Sequence, residues 1–124
     1  MIGPIDRNIN VPCVEEEIAL NPSGGVDVPV LAAAGTTTVI SNVPCIHARE
    51  IVVFVDNRNG LGKVDHVYLG LYAGARTIAV VVDLGSVAVG ASAAFQYTAG
   101  AGQTYDVAID PLADTTVRVW TCAR

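Results

Sequence analysis

Two histidines and two acids form the one group in this sequence whose types invite a metal-ligand or acid–base reading: His47, Glu50, Asp65 and His66. Zinc and iron sites draw on convergent histidines and carboxylates, commonly at short spacings. Here the histidines are nineteen positions apart, and neither His-x-His nor His-x-x-x-His occurs. The spacing therefore predicts surface or contact histidines. Nucleophilic catalysis needs a nucleophile, a base and an orienting group together, and Ser23, Ser41, Ser86 and Ser92 have no Gly-x-Ser-x-Gly context. Asp106 and Asp110 bracket an alternating stretch, but Asp110-Pro111 reads as the start of a turn. Gly60-Leu61-Gly62-Lys63 lacks the upstream glycine and following Ser/Thr of a phosphate loop, and Val64 stands in the latter place. Tyr68, Tyr72 and Trp120 are candidates for a sugar-stacking platform, although a chain with so few aromatics is expected to use them in packing. No catalytic, cofactor-binding or metal residue is expected.

Cys13, Cys45 and Cys122 are odd in number and have no Cys-x-x-Cys spacing. The expectation is three small buried or half-buried thiols, with a Cys13–Cys45 bridge as the alternative. Met1–Asn10 contains Asp6 and Arg7 and no continuous apolar stretch, so no signal peptide is expected and folding in the cytoplasm follows.

The elements that would have to position any site must be reconciled with an unusual composition. Of 124 residues, 52% are hydrophobic and 15% charged, where soluble domains carry about 25% charged residues. Area scaling gives a folded surface of roughly 6,000 Å², or about 300 Å² per charged side chain. That much uncharged surface points to contacts with other chains. The net charge is −5, and no basic stripe exists to meet phosphates, so nucleic-acid binding is not expected. The longest clean apolar runs, such as Ile51–Val55 and Ile78–Val82, are five residues long. A membrane span needs about 20.

Residues 1–29 read as an extended arm: they hold Pro4, Pro12, Pro22 and Pro29, each fixing φ and removing a donor, and the acidic triplet Glu15-Glu16-Glu17. Within the arm, Val14–Leu20 is either one helical turn or an edge strand, and residues 21–25 form a loop. Residues 30–124 read as a β domain rich in valine, isoleucine and threonine. Strands are expected near 26–33, 36–41, 46–56, 64–73, 76–83, 86–97, 104–109 and 115–122. Eight strands at this spacing argue for an all-β antiparallel sandwich or barrel, and spacing does not separate a jelly roll from an immunoglobulin-like topology. Segments 51–55 and 78–82 are apolar on both faces, so the arm or another chain must cover the second face. In the small-residue stretch Val87–Ala101, a helical turn through Ala91–Phe95 is the alternative to strand.

A proline-rich arm (Met1–Pro29), a compact β body (Val30–Cys122) and a Val/Ala/Gly/Thr-rich, lysine-poor composition resemble the small jelly-roll decoration, or cement, proteins of tailed-bacteriophage capsids. The resemblance implies a jelly roll in preference to an immunoglobulin-like topology, and a non-enzymatic virion protein that binds the major capsid protein and copies of itself, as a trimer ahead of a dimer, without cofactor, membrane or nucleic acid. A stiffened arm loses less entropy on docking. Its apolar residues Ile2, Ile5, Ile9 and Val11 and the acids Glu15, Glu16 and Glu17 are therefore the expected contact residues. The competing readings are a carbohydrate-binding or adhesion sandwich and, behind it, a cupin-like metalloenzyme with His47 and His66 converging inside a barrel.

Overall fold

The computed structural model describes residues 13–20, 36–46, 48–73, 77–98 and 103–124, with the backbone alone at 77–79. The described residues form an all-β sandwich of eight strands: β1 Cys13–Leu20, β2 Thr37–Pro44, β3 Glu50–Asp56, β4 Val64–Ala73, β5 Thr77–Val87, β6 Ser92–Thr98, β7 Thr104–Pro111 and β8 Thr115–Ala123. One sheet has the order β1-β8-β3-β6 and the other β2-β7-β4-β5, with every pairing antiparallel. The pairing is nested: first strand with last, second with next to last, third with sixth, and the central β4 and β5 as a hairpin.

Alternation in the sequence builds the core. Ile51, Val53 and Val55 of β3, Val67, Leu69 and Leu71 of β4, Tyr105, Val107 and Ile109 of β7, and Val117 and Val119 of β8 all point inward and are buried. A buried asparagine fastens one end of this core. Asn57 donates its carboxamide to the carbonyls of Gly62 (2.9 Å) and Ala88 (3.2 Å), and accepts from the Thr115 hydroxyl (2.8 Å). Three chain segments are thereby tied to one side chain with its polar atoms satisfied. At the other end, the Tyr105 hydroxyl donates to Thr121 Oγ1 across the sandwich at 2.8 Å.

Several expectations change here. Residues 13–20 form a strand of the sandwich, the second of the two alternatives, and so belong to the β body and not to an arm standing outside it. The strand expected at 26–33 lies outside the described residues, as do Ile2, Ile5, Ile9, Val11 and His47. The strand expected at 86–97 is divided, since β5 runs on to Val87 and β6 spans Ser92–Thr98. Within β6 the strand reading holds over the helical turn, because each inward side chain meets an inward valine or isoleucine of β3: Ala93 opposite Val55, Phe95 opposite Val53, Tyr97 opposite Ile51. The three-thiol expectation fails. β1 runs antiparallel to β8 in a register that sets Cys13 directly opposite Cys122, and the two form a disulfide with 4.2 Å between their Cα atoms. Cys45 is free and buried, and desolvation pushes its thiol pKa up.

Burial of the faces also differs from the alternation. Both faces of β7 are buried, including Asp106 and Asp110 on the outward side. Asp106 is accommodated by local backbone geometry. Asn42 adopts φ 60°, a conformation asparagine tolerates, at a bulge in β2, and its backbone N–H donates to Asp106 Oδ1 at 2.8 Å. The doubly apolar β3 is covered on one face only: Val52 and Phe54 remain half-exposed on the other.

Candidate functional site

The outer face of the β1-β8-β3-β6 sheet is laid out in cross-strand rows. Glu15, Trp120, Phe54 and Ala94 share one row, and the Cys13–Cys122 disulfide, Val52 and Gln96 share the next. Charged rows flank this strip, whose centre at Trp120, Phe54 and Val52 is apolar. On one side Glu17 faces Arg118 (3.7 Å), and Asp56 is held by Arg58 at 2.8 Å. Hydrogen bonds from the Arg58 side chain and amide hold the Asp56 carboxyl down at about 2. On the other side Glu50 meets both Arg124 (2.6 Å) and Gln96. An aromatic pair with a polar rim is the composition of a contact surface.

The four sheet edges are guarded unequally. Unpaired edges invite pairing with other chains, and charge, proline and bulges suppress it. Edge β1 carries Glu15, Glu16 and Glu17, with Glu16 on the inward side opposite Val119. Edge β2 contains two register shifts and Pro44. Edge β5 contains Asp83 and three register shifts, near Gly85 with φ 138°. Edge β6, Ser-Ala-Ala-Phe-Gln-Tyr-Thr, has neither charge nor proline and pairs with β3 in unbroken register.

Among the described residues, the sandwich is also open along that side. Ala93, Phe95 and Tyr97 of β6, and Val80, Val82 and Leu84 of β5, pack against the core while only partly buried. Gly85 lets the two strands pack closely, since a Cβ there would lie 3.1 Å from Phe95 Cε1. Uncharged edge and half-covered core thus coincide.

Of the group His47, Glu50, Asp65 and His66, His47 lies outside the described residues and the other three fall in two places. Glu50 belongs to the Arg124–Gln96 cluster, while Asp65 and His66 lie on β4 in the other sheet. Tyr68 and Trp120 are in opposite sheets and Tyr72 is buried, so the three do not form one stacking platform. Tyr68 instead stacks on His66 with 5.4 Å between ring centres. Asp110, read as a turn residue, lies within β7 opposite His66, and burial raises its carboxyl pKa. Sequence spacing missed this Asp110–His66 neighbourhood because a cross-strand register creates it. Glu15, Glu16 and Glu17 are exposed on edge β1.

No helix long and apolar enough to cross a membrane occurs among the described residues. No family model matches the sequence, and the search of curated proteins gave no match. Among solved structures, a chain from the disulfide-linked pili described as Bacillus endospore appendages is similar at 14% identity and TM-score 0.33, over 91% of this chain and 88% of that one. A likeness of that size carries no argument about function.

Proposed function

We propose that this protein is a non-enzymatic structural subunit that works by associating with copies of itself through edge β6. The observation behind the reading is the coincidence on one side of the sandwich of an uncharged, bulge-free edge with half-covered core side chains. Two copies of β6 laid antiparallel bring together neutral side chains only, satisfy the free backbone groups of both edges and cover Phe95 and Tyr97. The Trp120–Phe54 strip continues this surface across β3 and β8 and supplies aromatic anchors for further contacts.

The nested strand pairing supports a jelly roll over an immunoglobulin-like sandwich. In the latter, consecutive strands pair within a sheet, whereas here only β4 and β5 do. Decoration of a phage capsid, with the major capsid protein as second partner, is the specific form of the proposal that composition and architecture favour. The mechanism would be stabilisation of the assembled shell by mass action.

The test is solution mass by light scattering, for the wild type and for Ala94→Lys, which places a charge at an exposed position of β6. An oligomer that the lysine dissociates supports the reading, and a monomeric wild type contradicts it. Co-sedimentation with capsids tests the specific form separately.

A further inference from the structure

We propose that Asp65, His66 and Asp110 form a binding site for a divalent transition-metal ion of the Zn²⁺ class on the outer face of the β2-β7-β4-β5 sheet. The ligand atoms of the three residues lie within 4.8 Å of one another. A bulge in β4 makes the cluster: between the pairs Val64–Pro111 and His66–Asp110, β4 contains one residue more than β7. The extra residue turns Asp65 out of strict alternation, beside His66 and toward Asp110.

Two further observations separate this from a chance group of surface acids. Asp110 is only 8% exposed, yet no described residue donates a hydrogen bond to its carboxylate, which faces the other two ligands. A largely buried carboxylate that no described residue donates to is stabilised by a cation that meets it. The second is the aim of the imidazole. His66 Nδ1 lies 2.8 Å from Asp83 Oδ2, and Asp83 is itself fixed by the Gly85 amide at 3.1 Å. A carboxylate behind a histidine sets its tautomer and points its other nitrogen at a metal. With Nδ1–H given to Asp83, the lone pair is on Nε2, which lies 3.6 Å from Asp65 Oδ2. That gap is too long for a hydrogen bond. It is close to the about 3.4 Å that separates two ligands on a tetrahedral zinc with 2.0–2.2 Å bonds.

One imidazole nitrogen and two carboxylate oxygens suit zinc better than magnesium or calcium, which prefer oxygen alone. Asp65 and His66 are partly exposed, leaving an entry route and room for water as a fourth ligand. Lys63 Nζ, 3.8 Å from Asp65 Oδ1, is the neighbouring cation that the ion would displace from that carboxylate. Bound there, the ion would clamp β4 to β7, with β5 fastened through Asp83.

Zn²⁺ binding to the intact, oxidised protein, followed by calorimetry and by thermal midpoint, tests the site. The wild type is expected to bind one ion and melt at a higher temperature. The near-isosteric Asp110→Asn should lose that response, and Asp83→Asn, which removes only the orienting group, should weaken binding roughly 10- to 100-fold. Co²⁺ in place of Zn²⁺ should give weak visible bands with no thiolate charge-transfer band. The proposal is overturned by a wild type that ignores Zn²⁺, by a response that survives Asp110→Asn, by Ca²⁺ binding as tightly as Zn²⁺, or by a thiolate band, which would put the metal on Cys45.

Discussion

Cys13 and Cys122 face each other across the β1–β8 ladder, and their disulfide joins two neighbouring strands of one sheet that lie 109 residues apart in the chain. Cross-linking so long a loop restricts the unfolded chain strongly, and removing a native disulfide typically costs about 2–5 kcal/mol. Cys13→Ser is expected to lower unfolding free energy by that amount in chemical denaturation. In the unreduced, unfolded wild type one thiol per chain, Cys45, should react with a thiol reagent. Three reactive thiols before reduction would contradict the bridge.

The buried carboxamide of Asn57 should prove costly to remove. Asn57→Ala strips hydrogen bonds from the Gly62 and Ala88 carbonyls and from the Thr115 hydroxyl in one step. Unsatisfied buried groups cost about 1–3 kcal/mol each, so a loss of about 3 kcal/mol is expected in equilibrium unfolding. A change within experimental error would show that the loops hold themselves.

Asp56 sets a pH dependence with a defined sign. Its folded carboxyl titrates at about 2, below its ordinary value, because Arg58 donates to it. The stabilisation it contributes is complete above the unfolded carboxyl pKa of about 3.9 and is lost as pH falls through the folded value. Carboxyl ¹³C NMR should find Asp56 titrating at about 2 in the wild type. In Arg58→Ala it should titrate near the ordinary value. Since the pair is exposed, the change in overall stability should be small and should shrink with salt.

Gly85 is held to its type by backbone and space together. Its φ of 138° is strained for any side chain, and Phe95 stands 3.1 Å from where a Cβ would be. Gly85→Ala should therefore lower the melting temperature, while Gly90→Ala, at φ 78° with open space around it, should show the backbone strain alone. Equal effects at the two positions would deny the packing contribution of Phe95.

How far the sequence could be read follows from which interactions are local. The strand at Val64–Ala73 was legible at both ends, because Val67, Leu69 and Leu71 alternate cleanly between a glycine-rich loop and a glycine turn. The edge strand Cys13–Leu20 was not, since three consecutive glutamates hide the inward set of Val14, Ile18 and Leu20. Alternation also mispriced β7, whose polar outward residues Asp106 and Asp110 are buried through contacts with Asn42 and His66 from distant segments. The Cys13–Cys122 bridge and the grouping of Asp110 with His66 depend wholly on register. Register is a relation between strands far apart in the chain, and spacing within either strand does not contain it. By contrast, the scarcity of charge that first pointed to assembly has a local counterpart in β6, the strand with no charged residue and no guard on its edge.

The most direct measurement is the molar mass in solution by light scattering, taken on the wild type and on Ala94→Lys under non-reducing conditions. The account predicts a wild-type mass that is a multiple of the 12.8 kDa chain, falling to the monomer in the variant while its circular dichroism is unchanged. A wild type that stays at the mass of one chain across the accessible concentration range would contradict it.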